Sequence, residues 1–294
     1  MFVRAVVITL FLGLCSQPLL AQTYEFEARA KPPEGLSWIQ DFRWDTQSKT
    51  LVTFASMEVR DRSRDEGVRY VCDVRITNVQ DEEITGLSIN FGNAYNIKEQ
   101  QEDPIDLLGS EILATGHPGK RKFKRKSGGR LNKEQKQFLK NHFGGDDGPD
   151  PVELLLPSRA VSQGESWDID IERVIDQLGR DRFELDRPQS YAKATLREVF
   201  EKRGVQYGRI DFRVRVVPSS IVDVTIEEAL MQLSGFVDIP IQGDIPYGRI
   251  EVDLGMRFLG FVKRMGVRVR LDLDSTSRGS DKRALNGTTL QASP

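Results

Sequence analysis

Residues that carry chemistry are scarce in this 294-residue chain, which has two Cys and two His. His117 and His142 stand in unrelated contexts, and no His-x-x-His, Cys-x-x-Cys or His-Glu-x-x-His spacing occurs, which argues against a zinc site. There is no Gly-x-Ser-x-Gly elbow. No glycine-rich loop opens a helix to cradle phosphate. Cys72 falls on the apolar side of an alternating segment and reads as a buried, inert thiol. The 44 acidic residues guarantee chance carboxylate pairs, so a glycosidase dyad gains no specific support. No catalytic residue, metal site or cofactor is expected, and an enzyme of a class without short motifs stays open.

Long apolar runs are also missing, apart from Ala5 to Cys15, which Thr9 and Gly13 interrupt. Arg4 precedes that run, Pro18 follows it, and Leu19-Leu20-Ala21 offers a cleavage point. This is the layout of a secretory signal over residues 1–21. The run is shorter than the about 20 residues a spanning helix needs, and Leu14 is too large to precede a lipidated Cys15. The expected mature chain is extracytoplasmic, periplasmic or secreted, with no transmembrane segment. Cys72 would be its single thiol, so no internal disulfide can form. The fold must then rest on its core, which is feasible because a chain of this size buries about 75% of its unfolded surface.

What is abundant is alternation. Val68, Tyr70, Cys72, Val74 and Ile76 interleave with Arg69, Asp73 and Arg75; Leu87, Ile89 and Phe91 follow the same rule. Ile210, Phe212, Val214 and Val216 stand opposite Arg209, Asp211, Arg213 and Arg215. Val222, Val224 and Ile226, then Ile250, Val252 and Leu254, then Val267, Val269, Leu271 and Leu273 repeat the pattern. Period-two alternation with β-branched residues predicts antiparallel strands with one dry and one wet face. The wet faces carry both signs, with the arginines of 209–215 beside the acids of 222–228. They read as cross-strand charge pairs rather than a ligand-binding face.

Residues 104–150 break the alternation. Lys120, Arg121, Lys122, Lys124, Arg125, Lys126 and Arg130 put seven positive charges into eleven residues, read as a loop. Charge segregated in this way makes those seven residues a candidate polyanion site, for envelope lipid or an anionic polymer. The plainer alternative is a solvated loop docked on its own acidic body. Asn132 is placed to cap a helix over 133–143, with Gln135 completing a capping box. Leu131, Gln135, Phe138, Leu139, His142 and Phe143 then share one side. The acidic stretch 144–150 lacks the spacing of a calcium loop. Trp38, Phe42 and Trp44 form an aromatic group suited to sugar stacking or, more simply, to covering a core. A short helix is expected within 170–179, with Ile171, Val174, Ile175 and Leu178 on one face.

At Leu154-Leu155-Leu156-Pro157, Val161 and Gly164-Glu165-Ser166-Trp167 the chain resembles uncharacterised exported bacterial proteins with a Leu-Pro, Val, Gly-x-x-Trp segment followed by strands. The resemblance covers about fifteen residues closely and brings no catalytic residue with it. The overall pattern is also similar to half-barrel carriers of lipids and lipoproteins, an analogy of architecture alone.

The expectation is a mainly β (α+β) protein of antiparallel sheets, a sandwich or a curved half-barrel, with one or two short helices. Its parts would be a signal peptide 1–21, an N-terminal β unit 23–103, a basic connector 104–150, a C-terminal β domain 151–283 and a disordered tail 284–294. The expected role is non-catalytic binding or scaffolding in the bacterial envelope. The alternatives are a carrier of an apolar ligand such as lipid on a curved sheet, and polyanion binding through 120–130.

Overall fold

The computed structural model describes residues 22–26, 33–54, 57–145, 152–178, 183–221, 224–241, 248–264 and 267–286. The expected signal segment 1–21, the acidic turn at 146–150 and residues 287–294 of the expected tail lie outside them. Ala284 and Leu285, at the start of that tail, are paired in a strand.

The described chain is mainly β, with two α-helices. In order, the strands are β1 (Thr23–Tyr24), β2 (Ser37–Phe54), β3 (Met57–Gln80), β4 (Glu83–Lys98), β5 (Gln101–Pro104), β6 (Glu111–Thr115) and β7 (Lys122–Arg125). After helix α1 (Lys133–Phe143) come β8 (Val161–Ser162), β9 (Ser166–Asp168) and helix α2 (Ile171–Leu178). The remainder is β10 (Phe183–Leu185), β11 (Tyr191–Lys202), β12 (Val205–Val216), β13 (Pro218–Ile221), β14 (Val224–Pro240), β15 (Arg249–Arg264) and β16 (Val267–Leu285). β3 is 24 residues long, where strands usually run about 3–10.

Fourteen strands form one antiparallel sheet, whose path is β7-β6-β4-β3-β2-β16-β15-β14-β12-β11-β9. The path does not return on itself, so the sheet is open. β2, from the N-terminal unit, pairs with β16, from the C-terminal unit, from Phe54↔Val269 to Trp38↔Leu285. Both expected β units therefore contribute to one sheet. The basic stretch is not all loop: Lys122–Arg125 is a strand paired with Glu111–Thr115. Alternation explains it, since Phe123 turns to the core while Lys122 and Lys124 stay exposed.

Residues opposite each other in an antiparallel ladder share a face. Tyr70, Phe42, Asp281, Ile250, Val237, Ile210 and Leu196 lie in one transverse row and hence on one face. Two buried clusters sit on that face. The first gathers Tyr70, Val74, Ile89 and Phe91 under α1. The second gathers Leu196, Ile210, Phe212 and Val237 with Leu155, Val161 and Ile169.

α1 forms as its sequence requires. The Asn132 side chain accepts from the Gln135 backbone at 2.8 Å, and the Asn132 backbone donates to the Gln135 side chain at 2.9 Å. This capping box satisfies helix-end donors that would otherwise be orphaned. The helix then buries Phe138, Leu139 and Phe143. Tyr70 meets Phe138 edge-on at 5.6 Å, and Phe91 meets Phe143 edge-on at 5.7 Å.

Between the clusters, the β2–β16 seam holds a buried polar group. Gln40 donates to Asp281 at 3.0 Å, Arg283 pairs with Asp281 at 3.1 Å, and the Arg283 guanidinium lies over Trp38 at 5.7 Å. Asp281 is 4% exposed, so removing its carboxylate takes a buried acceptor from Gln40 and the paired charge from Arg283. We predict that Asp281→Ala lowers the free energy of unfolding by about 3 kcal/mol, within the range for breaking a buried pair; urea denaturation measures it.

Candidate functional site: an apolar sheet face

Beyond the α1-covered region the same face continues toward the β2–β3 turn as a set of transverse rows. Counting from β3 to β14, one row reads Arg64, Ser48, Ser275, Met256, Met231. The next reads Arg62, Thr50, Leu273, Phe258, Ala229, and the next Arg60, Val52, Leu271, Gly260, Ile226. Val262, Val269 and Phe54 extend it. Four strands thus supply an apolar floor. Leu254, Met256, Phe258, Leu271 and Leu273 are each partly exposed and belong to neither core cluster. Among the described residues, no helix packs over them.

A β-bulge sharpens the division between the faces. The register shifts between Ile226 and Glu228, so Ile226 and Ala229 both stay on the floor. Glu227 and Glu228 turn to the other side, where they meet Arg270 at 3.5 Å and Arg257 at 3.9 Å. A bulge places an extra residue without moving the rest of the strand to the wrong face.

The opposite face carries paired charges, with the partly exposed Leu51, Leu230, Leu259 and Phe261 among them. Arg278 bonds Asp253 at 2.7 Å and Arg257 bonds Asp272 at 2.7 Å. Arg209 bonds Asp238 at 2.7 Å and Glu198 at 2.6 Å, and lies 4.7 Å from the Phe236 ring. Arg209, Arg257 and Arg278 thus take cross-strand partners, while Arg213 and Arg215 lie opposite Ser234 and Gln232. For Arg209 the partner is Asp238 rather than an acid of 222–228, because β12 pairs with the 231–240 half of the long strand β14.

Where the floor meets α1 there is a groove of about 690 Å³, bounded by Trp44, Thr46, Glu66 and Val68 of the sheet and by Gln137, Phe138, Asn141 and His142 of the helix. Thr46 continues by register into Ser277, Leu254 and Leu233, so groove and floor are one surface. The aromatic group divides along it. Trp38 is buried, Phe42 stacks on Tyr70 at 4.9 Å, and Trp44 lines the groove with its ring packed over Gly279.

The seven basic residues are split. Arg121 donates to the carbonyls of Phe143 and Ile84, both at 2.8 Å, pinning the end of α1 to the sheet; burial lowers its pKa. Arg125 donates to the Asp106 carbonyl at 2.8 Å and to Ser110. Lys126 pairs with Glu111 at 2.8 Å, and bonds from Lys126 and Ser88 hold the Glu111 carboxyl below its ordinary range. Lys120, Lys122, Lys124 and Arg130 are exposed.

Cys72 is buried, and burial, with the nearby Asp281 charge, pushes its thiol pKa far up, as an unreactive thiol requires. Among the described residues no group of three or more His, Cys, Asp or Glu is placed to hold a metal, and no helix is long and apolar enough to cross a membrane.

The apolar floor and the arginines at 60, 62 and 64 were not singled out from sequence. Beyond Met57 and Val59, the stretch 57–66 shows no apolar residue, only charge and Ser63. A period of two in charge sign, Arg60, Arg62 and Arg64 against Asp61 and Asp65, is the signal that marks it.

The chain matches no protein-family profile and no curated protein. Among solved structures it is similar to lipovitellin, studied for its lipid–protein interactions, with a TM-score of 0.35 and 8% identity over 89% of this chain and 26% of that one. A likeness this distant carries no argument about function.

His142 packs against Phe42, Tyr70 and Phe138 at 5.2, 5.2 and 4.7 Å, and burial pushes its pKa down to about 4. The unfolded chain takes up this proton near pH 6.5, whereas the folded chain resists until about pH 4. Stability should therefore fall as pH drops through this window, by no more than about 3 kcal/mol from this residue. His142→Phe should lose this component, which chemical denaturation at pH 7 and pH 4.5 measures.

Proposed function

We propose that this is an exported, non-catalytic binding protein that holds an apolar molecule on the open face of its sheet. The observation that carries the reading is the floor of partly exposed Leu254, Met256, Phe258, Leu271 and Leu273, continuous with the groove beside α1. Exposed apolar surface of this extent is costly in water, at about 25 cal/mol per Å², and contiguous patches mark interaction sites. The opposite face spends its charges on each other, so polar recognition is not its role. Ligand sites combine an apolar lining with few polar groups, which is the composition of the floor with Thr50, Ser48 and Thr46 along β2. The apolar N-terminal segment, read as a secretory signal, would deliver the protein outside the cytoplasm.

A second reading is polyanion binding through 120–130. It now rests on Lys120, Lys122, Lys124 and Arg130, the members that stay exposed without a structural bond among the described residues.

Titration with oleyl alcohol tests the first reading. The wild type should bind it, and Leu273→Asp should weaken binding by about tenfold or more, since a carboxylate on the floor must be desolvated. Leu108→Asp, at an apolar position 73% exposed away from the floor, should leave binding unchanged. A wild type without affinity, or equal loss in both variants, would refute the reading.

A further inference from the structure

The floor has one edge that is not apolar. β3 pairs with β4 only from Glu66 onward, and Glu99 donates to the Asp65 carbonyl, so residues 57–64 form an open sheet edge beside β2. Charge on an exposed edge strand discourages strand addition, and that would be satisfied by any mixture of signs on either face. The arrangement here is sorted. Arg60, Arg62 and Arg64 are opposite Val52, Thr50 and Ser48 and lie on the floor side; Asp61 and Asp65 are opposite Leu51 and Gln47 on the ionic side. Same-face neighbours on a strand are about 7 Å apart, so the three guanidinium groups line one rim of the floor.

These arginines are exposed. Arg64 has Glu66 at 3.9 Å, at the limit of an ion pair. Arg60 and Arg62 have no ion pair among the described residues. Along their rows, β2, β16, β15 and β14 present Val52, Thr50, Leu271, Leu273, Phe258 and Ile226, with no acid. The rim is therefore net positive, three arginines against Glu66 at the Arg64 end, and Arg60 and Arg62 face no acid along their rows. That contrasts with the other face of the same strands, where arginines take carboxylate partners. A row of fixed positive charge against a floor about 19 Å across, four strand spacings, complements a molecule with an anionic head and a long apolar tail. Guanidinium suits that role because it presents several donors in one plane to carboxylate or phosphate oxygens.

Resting on the apolar-ligand reading above, we propose that the ligand is a single anionic amphiphile, its tail on the floor and its acidic head held by Arg60, Arg62 and Arg64. The full-length mature protein is titrated with oleate and, separately, with uncharged oleyl alcohol, both below their aggregation concentrations. The wild type should bind oleate about tenfold more tightly, the scale of a few exposed charge-assisted contacts. Arg60→Gln/Arg62→Gln/Arg64→Gln should remove that preference and leave oleyl alcohol binding within about twofold. Replacing the three by Lys should restore most of the preference, which a folding defect would not allow. Equal affinity of the wild type for oleate and oleyl alcohol, or a parallel loss of both in the Gln variant, would overturn the arginine assignment while the apolar floor stood. Binding of neither ligand by the wild type would overturn the floor itself. A dimer that persists at micromolar concentration in saturating oleate would place a second copy on the floor and overturn the proposal as well.

Discussion

The ladder between β2 and β16 is the constraint on which the architecture depends. It joins segments distant in sequence: the Gln40–Asp281 hydrogen bond across it spans 241 residues. Every other long ladder is a local hairpin or a short return. Removing this one would leave two β units, each with its own cluster and an open edge. Closing so long a loop costs entropy that grows only slowly with length, and the seam offsets it with specific bonds. Thr46 and Ser277 share a hydrogen bond of 2.8 Å on the same face, and Asn286 donates to Asp73 at 3.0 Å where β16 ends. Contacts this distant in sequence also imply slow folding relative to a helical protein of similar size.

The seam also creates the functional surface. The apolar floor takes Thr50 and Val52 from β2, Leu271 and Leu273 from β16, and Phe258 and Ala229 from the strands beyond. No single unit contains it. The two ends of this face are covered, one by α1 and one by the segments around Leu155, Val161 and Ile169, and their residues form conventional cores. The stretch between them has the residue types of a core without described residues packed on top. On the reverse side the same strands carry cross-strand ion pairs, which keep that face soluble while contributing little each.

Much of this was legible in the chain. The alternation at 68–76 and 209–216 marks strands correctly because a half-buried strand must place like residues two apart. Asn132 and Gln135 mark the start of α1 because only a capping geometry uses that pair at that spacing. The lengths were not legible. β3 reaches back to Met57 through Glu58, Arg60, Asp61, Arg62 and Arg64, residues with no strand preference that are held extended by pairing with β2. β6 and β7 were missed for a related reason: five and four residues are too short for a period to stand out from the surrounding charge. The basic stretch illustrates the limit of counting charge. Its seven cations look alike in sequence, yet Arg121 is pinned under the end of α1 while Lys122 points to solvent.

By itself, then, the sequence determined which residues alternate, where α1 begins, and that no familiar catalytic or metal-binding spacing is present, because these are local properties of neighbouring residues. Only the tertiary structure decided which strands lie side by side. Register is set by packing and pairing over the whole sheet, and it alone brings Arg62, Thr50, Leu273, Phe258 and Ala229 into one row. The apolar floor and its cationic rim are products of that register, assembled from four strands and an edge that are far apart along the chain.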